Sequence, residues 1–181
     1  QSMSGVHAIV GIEEGIVVLA DNTWVARQAA AAVRWVASSG AAGPSTNELT
    51  GQLREAAKHA DMRIYEERGE ATDRDGRSVD AVYEVPFLAH ACMEPANCTA
   101  KVTRDRCELW LPTQAPSLCA YAAAAALRLA PSQVTVHQTY LGGGFGRRTE
   151  VDAVRVAVQV AQTTDGRPVQ VVWSREEDMT H

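Results

Sequence analysis

The sequence is poor in cysteine and in phenylalanine, and its cysteines do not form metal-binding pairs. There are four cysteines and two phenylalanines in 181 residues. No two cysteines form a Cys-x-x-Cys pair, the spacing that many zinc sites and iron–sulfur clusters use. We therefore predict no such metal site in this chain, and buried thiols without a chemical role. The cysteines are Cys92, Cys98, Cys107 and Cys119.

Three further absences exclude classes of function. Basic residues are outnumbered, with 17 Lys and Arg against 22 Asp and Glu, so no positive excess favours a nucleic-acid partner. No run of about 18 apolar residues could cross a bilayer as a helix. No Gly-x-Ser-x-Gly sequence supplies a hydrolase nucleophile, and no Gly-Lys-Ser/Thr completes a Walker loop.

The apolar residues that are present predict regular structure in the first third of the chain. Residues 7–10 and 16–19 are two short apolar runs around a glycine-containing turn, which predicts a hairpin. A helix is predicted to begin near Thr23, and a second to end at about His59. Leu53 belongs to an apolar stripe on the second helix, and we expect that stripe to be buried.

Charged residues are concentrated between residues 66 and 80, which predicts a linker between two lobes. A solvated loop within one domain is the alternative. Beyond this segment, short strands alternate with helices in the predicted order β-β-β-α-β-α-β, starting with a strand over residues 79–85. The fold class is therefore α+β, and the C-terminal lobe is predicted to be a two-layer mixed sheet with helices on one face.

The densest motif lies between a predicted strand and a predicted helix, and it reads Gly142-Gly143-Gly144-Phe145-Gly146-Arg147-Arg148. Glycines accept positive φ, so successive backbone amides can face one concavity and bind an anion. The motif lacks the spacing of the dinucleotide fingerprint and the lysine of a Walker loop. A plain turn between strand and helix remains the alternative.

Three other segments carry polar residues at element ends. Gln114 lies where a strand ends and a helix starts, and its carboxamide can both donate and accept hydrogen bonds. His90 and Glu94 could form half of a metal site if they lay on a helix, but flanking prolines favour a buried histidine and a carboxylate bonded to backbone. Residues 173–179 end a strand in an acidic run that favours a solvated surface.

Taken together, these motifs resemble the large subunit of the xanthine oxidase superfamily of molybdenum hydroxylases, above all its isoquinoline 1-oxidoreductase beta-subunit and membrane-bound aldehyde dehydrogenase branch. The resemblance rests on residues 84–100, 112–114, 142–148 and 173–179, in that order. It implies an internal fragment, with part of a hammerhead-like α/β domain over residues 4–72 and the first part of a molybdenum-cofactor-binding domain over residues 77–181.

The resemblance also implies a function and a set of site residues. The family hydroxylates aldehydes or N-heteroaromatic carbons with oxygen from water, using molybdopterin cytosine dinucleotide and an iron–sulfur subunit that accepts the electrons. Gln114 matches the family's catalytic glutamine, which hydrogen-bonds an oxygen ligand of molybdenum. The cofactor-binding loop corresponds to Gly143, Gly144, Phe145, Gly146 and Arg147. No side chain of this chain is expected to bind the metal directly.

The sequence departs from the family pattern in two places. The xanthine oxidase group continues the glycine loop with Gly-Lys-Glu, whereas this chain has Arg147-Arg148-Thr149 before Glu150, so purine recognition is not implied. The family's late Gly-x-Gly-Glu segment, which supplies the catalytic base, has no counterpart, so the fragment alone is expected to be inactive. A non-catalytic interaction domain and a nucleotide-phosphate-binding enzyme remain the alternatives. The compartment stays open between the bacterial periplasm, its membrane and the cytoplasm.

Overall fold

The computed structural model describes residues 3–13, 15–34, 43–59, 65–66, 68–69 and 79–180. They belong to two compact units, one drawn from Gln1–Val33 and Pro86–His181 and the other from Arg34–Val85. The regular elements are β1 (Val6–Ile12), β2 (Gly15–Ala20), α1 (Thr23–Ala31), α2 (Thr46–His59), β3 (Asn97–Val102), β4 (Cys107–Leu111), α3 (Pro116–Leu127), β5 (Val134–Gln138), α4 (Asp152–Ala161), β6 (Val169–Val172) and α5 (Arg175–Asp178).

The larger unit is built on a four-stranded mixed sheet in the order β5-β4-β3-β6. Strands β4 and β5 are parallel, whereas β3 is antiparallel to both β4 and β6. In β3 and β4 every second residue is buried, as the two-residue period of a strand requires. Helices α3 and α4 cover that buried face with Cys119, Ala123, Val154 and Val158. The predicted mixed sheet with packed helices is confirmed.

The four cysteines lie in this larger unit, and all of them are buried and free, as predicted. Burial raises the pKa of the Cys98 thiol to about 12 and that of Cys107 to about 11 because the thiolate would lose its hydration inside the core. At neutral pH the Cys98 and Cys107 thiols are protonated apolar groups that fill space between the sheet and its helices.

The predicted N-terminal hairpin is also confirmed, with β1 and β2 paired antiparallel. Its residues Ile12, Val17 and Leu19 pack against Val156 and Val160 of α4. Helix α1 begins at Thr23 as predicted, since the Asn22 side chain accepts a hydrogen bond from the Val25 amide. The assignment of residues 4–72 and 77–181 to two domains stays a prediction.

Helix α2, in the smaller unit, has the predicted bounds but not the predicted burial. Ser45 and Glu48 cap it reciprocally, with the Ser45 amide 2.6 Å from a Glu48 carboxylate oxygen. Leu53 is 60% exposed, so the expectation of a buried stripe is wrong for this residue. The apolar period of the sequence specifies a helix face, but it does not specify what covers that face.

The strand predicted over residues 79–85 is also wrong. These residues carry no regular structure and pair with none of the described strands. Their apolar side chains, including Val82 and Val85, are almost fully exposed. Alternation gives a strand propensity, but a strand also needs a neighbour for its backbone hydrogen bonds. Most of the predicted linker, 66–80, lies outside the described residues.

Helices long and apolar enough to traverse a bilayer do not occur in the described part of the chain.

Candidate functional site

Gln114 occupies a tightly fixed loop between β4 and α3. The buried Thr113 hydroxyl accepts a hydrogen bond from the Ala115 amide at 3.0 Å and donates to the Arg148 carbonyl at 3.1 Å. The same carbonyl accepts from the Gln114 amide at 3.0 Å. These bonds fix the backbone on both sides of Gln114, while its side chain stays exposed. The carboxamide is thus held at a rigid point and remains accessible.

The glycine motif forms a tight turn at Gly144–Arg147. The Arg147 amide donates to the Gly144 carbonyl at 2.9 Å, and the central residues have positive φ, 52° at Phe145 and 89° at Gly146. Two positive values in succession define a turn of the type I′ class. A side chain at Phe145 costs about 1–2 kcal/mol in this conformation. Phe145 is nevertheless 75% exposed, and strain of this kind concentrates at functional sites.

The structure brings Gln114 and the glycine loop into direct contact. A Cβ placed on Gly144 would lie 2.8 Å from both Cδ and Oε1 of Gln114. On the neighbouring residue, Gly143, a Cβ would lie 3.2 Å from the Cβ of Cys92. Glycine is therefore needed at 144 because the Gln114 carboxamide occupies the space that a side chain would take.

Several hydrogen-bonding groups at this contact have no partner among the described residues. The amides of Gly143, Gly144, Phe145 and Gly146 donate to no acceptor there, and the Gln114 carboxamide likewise has none. Backbone polar groups are ordinarily satisfied by protein, water or ligand. Amides and a carboxamide that have no protein partner are donors from which an oxygen-rich, negatively charged group could accept hydrogen bonds.

Arg147 and Arg148, in contrast, point into the protein interior. Their exposed fractions are 4% and 5%. Both terminal nitrogens of Arg147 donate to the Asp152 carboxylate, at 2.9 and 2.6 Å, and these bonds raise the pKa of its guanidinium. The Arg147 side chain is thus buried and bound to Asp152, and its predicted role in cofactor binding stays a prediction.

Of the two predictions for residues 90–94, one is wrong and the other agrees with the structure. His90 is exposed rather than buried, so that expectation is wrong. Glu94 is bonded to backbone as expected, since one of its carboxylate oxygens accepts from the Gly142 amide at 2.9 Å. Within the described residues, no group of three or more His, Cys, Asp and Glu side chains could hold a metal ion.

The acidic run that follows Trp173 is the predicted solvated surface only in part, because Glu176 and Glu177 are exposed whereas Asp178 is buried. Residues 175–178 form the short helix α5, which is capped by Ser174 and Glu177 in a reciprocal pair. Asp178 is buried, and its carboxylate accepts from the Ala96 amide and pairs with Arg175, both at 3.2 Å. The missed signal was the Ser-x-x-Glu capping pattern, which marks a helix start. This helix holds the residues just before β3, beside Glu94.

Comparison with known proteins gives a consistent group of relatives. The isoquinoline 1-oxidoreductase subunit beta of Brevundimonas diminuta is 28% identical over 198 aligned residues, covering 99% of this chain and 24% of that protein. The membrane-bound aldehyde dehydrogenase (pyrroloquinoline-quinone) of Gluconacetobacter polyoxogenes is 31% identical over 101 residues, covering 56% of this chain and 13% of that protein. The chain thus spans a quarter or less of the length of these relatives.

Among solved structures, quinoline 2-oxidoreductase from Pseudomonas putida 86 aligns with a TM-score of 0.46 and 25% identity, over 50% of this chain and 12% of that one. A family model described as the molybdopterin cofactor-binding domain matches residues 53–181. That match includes Gln114 and the whole glycine loop, and it extends over well more than half of the chain. The chain therefore belongs to the molybdopterin cofactor-binding domain family.

Proposed function

We propose that this chain supplies the cofactor-facing surface of a molybdenum hydroxylase that adds oxygen from water to an aldehyde or an N-heteroaromatic carbon. The relatives named for aldehyde and isoquinoline oxidation support these two substrate classes. The cofactor would be the cytosine dinucleotide form of molybdopterin, and electrons would leave through an iron–sulfur subunit. Residues 4–72 would belong to a hammerhead-like domain.

The contact between Gln114 and Gly144 carries this proposal. A carboxamide can donate from Nε2 and accept at Oε1, so one side chain can orient two polar atoms. Here it lies against the glycine backbone, with Cδ only 2.8 Å from the place of a Gly144 Cβ. A group bound over the loop would therefore meet the carboxamide and the amides together.

The residues present fit a molybdenum–pterin group. When bound, the group supplies the two-electron oxidation of the substrate carbon. The amides of Gly143, Gly144 and Gly146 would stabilise negative charge on it without binding the metal. Gln114 would bind and orient a polar oxygen at the reacting centre. The exposed ring of Phe145 would cover part of the site and exclude water.

Arg147 belongs to this proposal in a supporting role. Its guanidinium is bonded to Asp152, and its own amide closes the turn onto Gly144. We propose that Arg147 fixes the loop from its buried side, so that the amides of Gly143 and Gly146 stay on the exposed side. Its contribution to cofactor binding would thus come through the position of the turn.

The decisive experiment compares Gln114→Ala with Gln162→Ala, a matched change at the exposed end of α4. Both are made in the full-length protein, purified with its partner subunits. We expect molybdenum content to stay at the wild-type level in both variants. Turnover should fall about 100-fold in the first alone, because one preorganised hydrogen bond in a transition state is worth roughly 3 kcal/mol. Incorporation of ¹⁸O from labelled water identifies the oxygen source.

Three outcomes would overturn the proposal or a part of it. Unchanged turnover in Gln114→Ala would remove this residue from the site. A wild-type complex that carries no molybdenum would favour a non-catalytic interaction domain with the same fold. Because free amides can also bind phosphate, ATP and NAD are titrated against the cofactor-free protein. Saturable binding of either would favour the nucleotide-phosphate alternative.

A further inference from the structure

Glu94 is bonded to Gly142 by its backbone and by its side chain. The Glu94 amide donates to the Gly142 carbonyl at 3.0 Å, and the Gly142 amide donates to Glu94 Oε2 at 2.9 Å. A Cβ on Gly142 would lie 2.3 Å from the Cβ of Glu94. The first residue of the glycine motif is therefore fixed by Glu94, and only glycine permits this approach.

The Glu94 carboxylate is itself held in place. Its other oxygen, Oε1, accepts from Asn97 Nδ2 at 2.9 Å. The buried Arg148 guanidinium lies 3.9 Å from Oε2 and donates to the Glu94 carbonyl. The Gly142 amide, Asn97 Nδ2 and the Arg148 guanidinium thus restrain the Glu94 side chain, which is itself only partly exposed. A carboxylate restrained in this way fixes the position of what it binds, in contrast to a mobile surface residue.

Arg148 connects this contact to Gln114. Its side chain binds the Glu94 carbonyl, while its own carbonyl accepts from the amide of Gln114 and the hydroxyl of Thr113. Arg148 is therefore bonded to both sides of the Gln114–Gly144 contact, to Glu94 on the side of the glycine loop and to the backbone of Gln114 on the other. Glu94 sets the start of the glycine loop, and Arg148 sets the backbone of Gln114.

We infer that Glu94 is a positioning residue, which acts with Arg148 to hold the glycine loop at a fixed distance from the Gln114 carboxamide. It acts through Gly142 and does not itself touch the bound group. The expected effect on turnover rests on the proposed function, whereas the expected effect on the loop does not. The two parts can therefore fail separately.

The test uses Glu94→Gln in the full-length protein with its partner subunits. The Gly142 amide and Asn97 Nδ2 bond to different oxygens of Glu94, so in the carboxamide one of these two donors would face an NH2 group instead of an acceptor. Exchange of the Gly142 and Arg147 amide hydrogens, which are hydrogen-bonded in the wild-type loop, is measured by mass spectrometry with fragmentation on cofactor-free protein and should accelerate by about tenfold or more, because a bond to a charged acceptor is lost. In the loaded enzyme we expect kcat to fall about tenfold while KM is unchanged.

Glu108→Gln is the matched control. Glu108 lies on β4 and contacts Lys101 and His137, away from the loop, so neither exchange nor kcat should change in this variant. Glu94→Ala should accelerate exchange further; if it does not fold, Glu94→Gln alone decides, because it preserves the size of the side chain.

The inference fails if exchange in the loop is unchanged in Glu94→Gln. It also fails if exchange rises equally in β3 and β4, since Glu94 would then only stabilise the fold. A wild-type complex without molybdenum would overturn the proposed function, but the exchange measurement would still decide the role of Glu94.

Discussion

Replacing Gly144 with alanine should lower turnover while changing the free energy of unfolding little. The φ of Gly144 does not lie in the left-handed region, so its backbone accepts alanine without strain. The new methyl group would lie 2.8 Å from Cδ and Oε1 of Gln114. Carbon atoms need about 3.5 Å, so one of the two groups must move. The carboxamide is the end of a flexible, exposed side chain, and we expect it to be the group that moves.

The magnitudes follow from this geometry. An alanine in an allowed conformation stabilises a protein by about 0.4–1 kcal/mol relative to glycine. Forcing Gln114 away from its preferred rotamer costs about 0.5–1.5 kcal/mol. The free energy of unfolding of Gly144→Ala should therefore stay within about 1 kcal/mol of wild type. Turnover, which depends on the displaced carboxamide, should fall at least about tenfold and up to the 100-fold expected for Gln114→Ala.

Gly142→Ala is the paired control, because the atom that its methyl group would meet is the Cβ of Glu94, which cannot move without the main chain. Its methyl group would lie 2.3 Å from Glu94 Cβ, so the chain must separate by about 1 Å and lose the bond to the carboxylate. Overpacking and the lost bond together should cost about 3–5 kcal/mol in urea unfolding. A loss of more than about 2 kcal/mol in Gly144→Ala, or a turnover equal to that of wild type, would contradict the displacement of the Gln114 carboxamide.

Three other predictions concern the fold. Arg128 ends α3 in the left-handed conformation, with φ 57°. Arg128→Gly should therefore raise the free energy of unfolding, measured by urea titration, by about 1 kcal/mol, whereas Arg128→Ala should not. Equal effects of the two substitutions would contradict this explanation. Leu53→Ala should cost under about 1 kcal/mol because Leu53 is largely exposed; a loss of about 2 kcal/mol or more would mean that the side chain is covered in solution. The free energy of unfolding should fall as pH rises from about 9 towards 12, because the unfolded Cys98 thiol ionises near its ordinary pKa of 9.0 and the folded one only at about 12. Cys98→Ala should flatten this decline, and an unchanged slope would exclude Cys98 as its cause.

Local patterns were enough to predict the elements that frame the site. The hairpin of β3 and β4 has a polar turn between two alternating runs, and Pro116 starts α3 where proline is tolerated. The glycine motif, by its density alone, indicated a turn with exposed amides. Local patterns could not predict its contact with Gln114, because the two segments are about thirty positions apart in sequence. Only the resemblance to a known family suggested that they meet.

The failures share a physical cause. The alternating residues 79–85 have strand propensity, but they have no neighbouring strand among those described. Leu53 lies on an amphipathic helix, but it remains exposed. His90 was expected to be buried because the flanking prolines argued against a helix that would present it as a metal ligand, but it is exposed. In each case composition indicated what a segment could do, whereas the outcome depended on a partner that the local sequence does not specify.

The two arginines after the glycine run show why site residues are harder to predict than elements. A basic pair beside a glycine loop suggests ligand contacts, but Arg147 binds Asp152, five positions away, and Arg148 binds Glu94, 54 positions away. In the proposed site the donors would instead be backbone amides, which every residue except proline has and which only conformation makes available. In such a site the sequence reveals the glycines that permit the conformation. The charged residues that hold it, Glu94 and Arg148, are recognised only when the chain is folded.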